Sequence, residues 1–248
     1  MSSNPRRARL LLGLCLLLAM ADTRAGVTAE KTRVVFSLPA SESALQVMNQ
    51  NPYPVVVQTW VDDGEPGSTP DMAQAPILPL PAIFRMEPGE QRNLRLIYTG
   101  EALPRDRESL FWLNLYEIPP RTSAAQPPDS TRLTVTLRTQ MKVLMRPERL
   151  PGSPDSLNQQ LRFRLDNSPS GPLLRIENPT PYFATLSEIQ LKQGATRQAV
   201  PGTMIAPFAE LALPLTQPER FARDGAVVEF TRVDDDGNLR PGSARLRP

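Results

Sequence analysis

The sequence predicts an all-β protein made of two β-sandwich domains, and three observations support this fold class. Apolar and polar residues alternate in many short segments, which is the periodicity of β-strands. The chain of 248 residues contains 28 prolines, which interrupt these segments repeatedly. It shows no heptad pattern and no long segment with helical periodicity. We therefore expect short strands connected by turns.

The longest alternating segment spans residues 131–146. Its apolar positions are Leu133, Val135, Leu137, Met141, Val143 and Met145. As a single strand it would extend about 50 Å, roughly three times an ordinary strand. Two interpretations are open. The segment is either a long central strand buried on one face, or a strand whose apolar end forms an edge for another chain, since an unpaired apolar edge otherwise promotes aggregation.

Six more strands are predicted before this segment. They lie at residues 32–38, 44–49, 54–61, 82–86, 93–98 and 109–118. Seven strands at this spacing are typical of an antiparallel sandwich. Because only a short turn sequence separates 44–49 from 54–61, these two strands are predicted to form a hairpin.

A second domain is predicted after a linker at residues 149–156, which contains two prolines, a glycine and small polar residues. Later strands are predicted at 161–165, 173–177, 183–191, 206–213 and 226–233. The first domain then spans residues 26–148 and the second spans residues 157–248.

The first 25 residues have the pattern of a secretory signal peptide. Three arginines precede an apolar run from Leu10 to Met20, and the segment from Ala21 to Ala25 that follows has small residues at both ends but also contains Asp22 and Arg24. The run is too short to cross a membrane as a helix, so we expect cleavage after Ala25. Cleavage removes four arginines and one aspartate, which changes the net charge from +2 to −1. The basic charge of the full chain is therefore no indication of nucleic-acid binding.

The composition of the predicted mature chain argues against an enzyme. It has no histidine, and the only cysteine, Cys15, lies in the signal peptide, so the usual general base, the usual zinc ligand and a disulfide are all missing. The acidic run from Asp234 to Gly237 lacks the spacing of a calcium loop and is read as a hairpin turn. Asp106 and Glu108 lie among arginines and are read as a salt-bridge cluster rather than as a catalytic pair.

Four segments of the chain together resemble the signature of one protein family. They are LPRDRESLFWLNLYEIPPR at 103–121, MEPG at 86–89, QMKVLMRP at 140–147 and RIENPTPY at 175–182. In this order they resemble the PapD-like periplasmic pilus-assembly chaperones. That resemblance implies two immunoglobulin-like β-sandwich domains in a boomerang arrangement.

The resemblance implies a function for the long strand. Chaperones of this family lend a strand to a pilin subunit whose own sandwich lacks one, a form of β-augmentation. By motif position, Leu133, Val135 and Leu137 match the residues that fill the groove of the subunit. The alternative is that these three side chains face the chaperone's own core.

The resemblance also implies an ionic anchor. Arg33 and Lys142 match two cations that bind the C-terminal carboxylate of the subunit by charge-assisted hydrogen bonds. This contact would also set the register of the added strand. Strict alternation places Lys142 on the opposite face from Leu133, so a twist or a bulge is expected to reconcile the two roles.

Three residues match an interdomain salt-bridge cluster of the family, namely Glu108, Arg146 and Asp224. The implied partners are pilin (fimbrial) subunits and an outer-membrane usher in the periplasm, with no nucleic acid, small-molecule substrate, cofactor or metal. An exported immunoglobulin-like binding or structural module without chaperone activity is the alternative function.

Overall fold

The structure, a computed structural model, describes residues 26–120, 135–168, 171–216, 221 and 225–247. Several predictions fall on residues outside these ranges. They are the signal peptide at 1–25, the first residues of the long strand with Leu133, and Asp224.

Within its described residues, the first domain contains nine strands in two sheets. The strands are β1 (Val27–Ala29), β2 (Arg33–Ser37), β3 (Glu42–Asn49), β4 (Val55–Asp62), β5 (Ile77–Leu80), β6 (Ile83–Met86), β7 (Gln91–Tyr98), β8 (Ser109–Ile118) and β9 (Leu137–Arg146). One sheet has the order β1-β3-β7-β5 and the other has the order β2-β9-β8-β4-β6. The two sheets pack face to face as a β-sandwich.

Alternating apolar side chains form the core between these sheets. Leu45 and Leu94 from one sheet and Phe36, Leu113 and Val143 from the other are fully buried in a single cluster. Burying one such side chain contributes about 1.5–3 kcal/mol. Residues 26–248 contain no cysteine, so this burial and not a disulfide holds the domain together.

The second domain is a smaller sandwich, with eight strands among its described residues. They are β10 (Arg162–Ser168), β11 (Gly171–Asn178), β12 (Ala184–Gln193), β13 (Thr196–Val200), β14 (Thr203–Ile205), β15 (Ala209–Pro214), β16 (Val227–Val233) and β17 (Leu239–Arg245). One sheet has the order β10-β11-β15, and the other has the order β13-β12-β16-β17 with β14 also paired to β12. Phe163 and Phe230 pack together in its core, with ring centroids 5.2 Å apart. The predicted all-β class with two sandwiches is thus confirmed.

A 3₁₀ turn at Pro154–Ser156 and a one-turn helix, α1 (Leu157–Gln160), lead into the second domain. The side chain of Ser153 accepts a hydrogen bond from the backbone N–H of Asp155 and so caps the turn. The predicted linker therefore ends in ordered structure, anchored by the buried Leu157.

The predicted hairpin between 44–49 and 54–61 is wrong. β3 pairs with β1 and β7, whereas β4 pairs with β6 and β8 in the opposite sheet. The chain between them crosses from one sheet to the other. The buried Asn49 amide stabilises this crossing, because it donates hydrogen bonds to the carbonyl oxygens of Tyr53, Met86 and Glu87.

The long strand is also shorter than predicted within the described residues. β9 begins at Leu137, and Val135 and Thr136 lie outside any strand. The cause is the length of its neighbour. Glu117 is already opposite Leu137, and β8 extends only one residue further, to Ile118.

Candidate functional site

β9 has one edge that is only partly covered. On one side β8 pairs with β9 along its length, from Leu137 to Met145. On the other side the parallel strand β2 covers only Lys142 to Arg146. In the part of the chain that the structure describes, no strand pairs with residues 137–141 on that side. We call this segment the free edge of β9, and it presents unpaired backbone groups to a partner strand.

The inward-facing row of β9 leaves the core at the free edge. Met141, Val143 and Met145 are buried in the core of the first domain. Leu137, on the same face of the strand, is 46% exposed, and Val135 before it is 60% exposed. Two of the three predicted groove-filling residues therefore extend the core face beyond the sandwich of the first domain. The third, Leu133, lies outside the described residues.

The two predicted anchor cations meet where the free edge ends. Arg33 is the first residue of β2 and lies opposite Lys142 in the parallel ladder. The Lys142 ammonium donates a hydrogen bond to Thr185 Oγ1 at 3.2 Å and lies 5.6 Å from the centroid of the Trp112 ring. Both cations thus lie at one end of the same strand edge.

Arg33 is a buried cation with unused hydrogen-bonding capacity. Arg33 is only 8% exposed, and its Nε atom has no hydrogen-bond partner among the described residues. Its Nη1 atom makes a long hydrogen bond of 3.4 Å to the carbonyl oxygen of Val233. Burial lowers the pKa of Arg33, and the negative charges of Asp235 and Asp234 oppose this only in part.

Lys142 is also poorly compensated. Burial, and secondarily the positive charge of Arg33, lower the pKa of Lys142 from its ordinary 10.5 to about 8. Two neighbouring cations that are partly removed from water favour an anion between them. A carboxylate fits this demand, since it accepts charge-assisted hydrogen bonds from both.

The register of β9 shows how the predicted anchor and the predicted groove-filling residues would share one strand. The β8–β9 ladder runs without a shift from Glu117 opposite Leu137 to Ser109 opposite Met145. Lys142 and Leu137 therefore point to opposite faces, and the described strand has no bulge. A strand added along the edge of a sheet lies in the plane of that sheet, so it contacts both faces of β9.

A salt-bridge cluster joins the two domains at the far end of β9. Arg146 Nε donates to Glu108 Oε1 at 2.6 Å, and its two terminal nitrogens donate to Asp235 at 2.6 and 2.9 Å. The other oxygen of Glu108 accepts from the backbone N–H of Phe183 in the second domain. Burial would lower the pKa of Arg146, but its hydrogen bonds to Asp235 and the charges of both carboxylates outweigh it and raise that pKa. Of the predicted cluster, Glu108 and Arg146 meet, Asp224 lies outside the described residues, and Asp235 was missed.

A second network holds the start of the free edge. Arg138 Nε donates to Asn114 Oδ1 at 2.8 Å, and Nη2 lies 3.3 Å from Asp62 Oδ2. Its Nη1 donates to the carbonyl oxygen of Pro66 at 2.8 Å, and its guanidinium stacks on the Trp60 ring at 4.9 Å. The only sequence signal for this network is the alternation that places Arg138 and Lys142 on one face, which did not predict it.

The acidic segments considered in the sequence have structural roles. Asp234 accepts the backbone N–H groups of Asp236 and Asn238 and pairs with Arg240, as in a hairpin turn. Asp106 pairs with its exposed neighbour Arg107. The described residues include no group of three or more acidic, histidine or cysteine side chains placed to hold a metal. Among them no helix is long and apolar enough to cross a membrane.

Comparison with known proteins identifies relatives over both domains. Residues 26–151 match the family model described as the N-terminal domain of PapD, a pili and flagellar-assembly chaperone. Residues 156–244 match the C-terminal domain of the pili assembly chaperone PapD.

Individual relatives cover nearly the whole chain. The chaperone protein FimB/FhaD of Bordetella pertussis is 31% identical over 95% of this chain and 94% of its own length. PapD of Escherichia coli is 32% identical over 82% of each chain. A crystal structure of the YadV chaperone superposes with a TM-score of 0.75 at 29% identity and covers 89% of this chain and 99% of that one. The SafB chaperone of Salmonella enterica, solved in complex with the SafA pilin, gives a TM-score of 0.72 at 26% identity and covers 91% and 99%.

Proposed function

The chain belongs to the PapD-like family of pilus-assembly chaperones, and from this premise we propose that it binds pilin subunits along the free edge of β9 and delivers them to an outer-membrane usher. Its function is that of a chaperone for pilus assembly and not of an enzyme. The family implies a periplasmic location. Solved complexes of relatives, such as SafB with the SafA pilin, support subunits of this class as the partners.

One observation carries the proposed mode of binding. The free edge of β9 ends at Arg33 and Lys142, two cations that form no salt bridge with any described residue. A strand that pairs with residues 137–141 reaches these cations where β2 begins. If its C-terminal carboxylate lies there, the strand runs parallel to β9 and in line with β2. The anchor therefore sets both direction and register.

The side chains of the free edge supply the apolar part of the interaction. Leu137 and Val135 are exposed in the free chaperone, and Leu133 precedes them at the same spacing. Burying each in the open groove of a subunit would contribute roughly 1.5–3 kcal/mol. Backbone hydrogen bonds along the ladder add affinity that depends little on the subunit's sequence.

The interdomain cluster acts on the site through the domain arrangement. Arg146 links Glu108 of the first domain to Asp235 of the second. Thr185, which accepts from Lys142, also belongs to the second domain. Holding the two domains in one arrangement therefore keeps the anchor complete. Asp224 stays a predicted member of this cluster.

Export precedes this function. We propose that residues 1–25 direct the chain through the inner membrane and are removed after Ala25. Binding and release of a subunit by strand exchange requires no nucleotide and no cofactor.

The carboxylate anchor is tested with a synthetic peptide that carries the C-terminal strand of a cognate pilin subunit. Binding to the mature protein is measured by calorimetry with a free C-terminal carboxylate and with an amidated end. Both peptides are also titrated against Lys142→Ala, with Lys192→Ala as the control because Lys192 pairs with Glu229 in the second domain.

Amidation and Lys142→Ala should each weaken binding at least tenfold, and together they should cost little more than either alone. Lys192→Ala should bind like the unmodified protein. If all titrations coincide, Lys142 does not anchor the peptide and an exported binding or structural module becomes the better description.

A further inference from the structure

A buried polar network surrounds the first described residue of the chain. Glu117 on β8 is 5% exposed and Asn51 is 3% exposed. The Asn51 amide donates to Glu117 Oε1 at 2.8 Å and to Asn49 Oδ1 at 2.9 Å. The backbone N–H of Val27 donates to Glu117 Oε2 at 2.8 Å. This network ties β1 and the loop after β3 to the end of β8.

Glu117 is a buried carboxylate whose charge is not balanced. Its two hydrogen bonds come from a backbone N–H and a side-chain amide, both neutral. In the described ranges it forms no ion pair. Burying an ionised carboxylate is costly unless a cation or several strong donors compensate it. The described residues of this network therefore supply no positive charge.

Gly26 lies where that charge is needed. Its backbone nitrogen donates to Asn51 Oδ1 at 3.0 Å, and it is one residue away from the nitrogen that bonds Glu117. A Cβ atom built on Gly26 would lie 3.6 Å from Glu117 Oε2 and 3.6 Å from Leu137 Cδ1. Its φ of +100° favours glycine. Gly26 is also the residue that removal of residues 1–25 would expose as the new N-terminus.

We propose that the Glu117–Asn51 network is a receptor for the α-ammonium group that cleavage of the Ala25–Gly26 bond creates. The inference rests on the export and processing given under the proposed function. Hydrolysis by a signal peptidase adds one water molecule: Ala25 leaves with a new carboxylate, and Gly26 keeps the nitrogen, which is protonated at neutral pH. The resulting cation donates to Asn51 and compensates Glu117.

The proposed receptor lies next to the start of β9, so removal of residues 1–25 would affect that strand. Glu117 lies opposite Leu137 in the β8–β9 ladder, and Gly26 lies against the Leu137 side chain. Binding of the new N-terminus thus fixes the end of β9 that carries the groove-filling residues. A chain extended beyond Gly26 would leave the fold beside Leu137, at the edge a subunit must reach.

The test compares two forms of residues 26–248, released from a fusion so that Gly26 is the first residue. One has a free α-amino group, and the other is Nα-acetylated, which keeps the N–H donor and removes the charge. Each is also made with Glu117→Gln, and with Glu177→Gln as the control because Glu177 pairs with Arg162 in the second domain. Unfolding in urea gives the folding equilibrium constant, and hydrogen exchange at Leu137 reports on β9.

Acetylation should lower the folding equilibrium constant at least tenfold, which is about 1.4 kcal/mol, and should speed exchange at Leu137. It should have less than a threefold effect in Glu117→Gln and its full effect in Glu177→Gln. An equal effect of acetylation with and without the Glu117 carboxylate overturns the proposal.

A second measurement needs no Glu117 variant. The pKa of the Gly26 amino group, followed by NMR in the unmodified protein, should lie at least one unit above the ordinary range of about 7.7–8.0. A value inside that range overturns the proposal. Mass spectrometry of the exported protein tests the cleavage site separately, and the peptide titration tests subunit binding, so failure of either is distinguishable from failure of the receptor.

Discussion

Replacing Lys142 with methionine should make the free chaperone more stable while it weakens subunit binding. In the folded protein, burial and then Arg33 lower the pKa of Lys142 from 10.5 to about 8, so folding disfavours the charged form. A lowering of this size corresponds to about 3 kcal/mol. The Trp112 and Thr185 contacts and the remaining access of water to the ammonium reduce the cost. We therefore expect Lys142→Met to gain about 1–2 kcal/mol at pH 7.

The gain should disappear at high pH. Between pH 8 and 10.5 the unfolded chain holds a proton on Lys142 that the folded chain has lost, so the stability of the unmodified protein rises across this window. Below pH 8 both states are charged and the full cost applies. Urea unfolding at pH 7 and pH 10 measures the difference. Lys192→Met is the control, because Lys192 is paired with Glu229.

Two outcomes would contradict the expected cost of the Lys142 charge. Lys142→Met could be no more stable than Lys192→Met at pH 7, which would mean that the charge on Lys142 is not disfavoured by the fold. Its gain could also be the same at pH 7 and pH 10, which would assign the effect to packing of the methionine. Either result removes the argument that the site is poised for an anion.

Three further predictions concern the same strand. With a pKa near 8, Lys142 is about 90% protonated at pH 7 and about 10% protonated at pH 9. Because a bound carboxylate raises that pKa, the affinity for the free-acid peptide, measured by calorimetry, should fall about tenfold between these pH values. An affinity that does not change with pH contradicts this. Asp235→Asn removes the bidentate partner of Arg146 and should lower the free energy of unfolding in urea by about 1–3 kcal/mol. It should also broaden the distribution of interdomain distances in small-angle scattering. An unchanged scattering curve argues against a role of Asp235 in domain orientation. Arg138→Met leaves the buried Asp62 with neutral donors only among the described residues. It should lower the free energy of unfolding by about 1–3 kcal/mol and speed hydrogen exchange at the start of β9. Equal exchange in both proteins would contradict a role of Arg138 in positioning β9.

The sequence predicted the strands well where alternation and turn residues agree. β8 was placed at 109–118, the bounds that the structure shows. The sequence failed where pairing depends on distant residues. β5 was missed because its four residues include Pro79, which is tolerated because β5 is an edge strand paired only with β7. The false hairpin after β3 has the same origin, since Asn49 stabilises the crossing through the carbonyl oxygens of Tyr53 and Glu87, which lie in two separate loops.

The candidate site was predictable to a similar degree. Arg33 and Lys142 could be named from the family resemblance, and the structure adds that they lie opposite each other at the end of an unpaired edge. Thr185 could not be found, because its approach to Lys142 depends on how the second domain meets the first. Asp235 is one of three consecutive aspartates, and only the geometry of the β16–β17 turn shows which of them reaches Arg146.

Side-chain contacts keep the free edge of β9 ordered before a subunit binds. A strand with a ladder on one side only keeps considerable conformational freedom, and ordering it during binding would cost about 1–2 kcal/mol per residue. Arg138 replaces part of the missing ladder, because it joins β9 to Asn114, Asp62 and the carbonyl oxygen of Pro66 on the outer face of the sheet. These contacts leave the backbone groups of the edge unused. The edge is therefore held in an extended conformation while it stays available for pairing, so the hydrogen bonds formed with a subunit strand contribute to affinity rather than to ordering the chaperone.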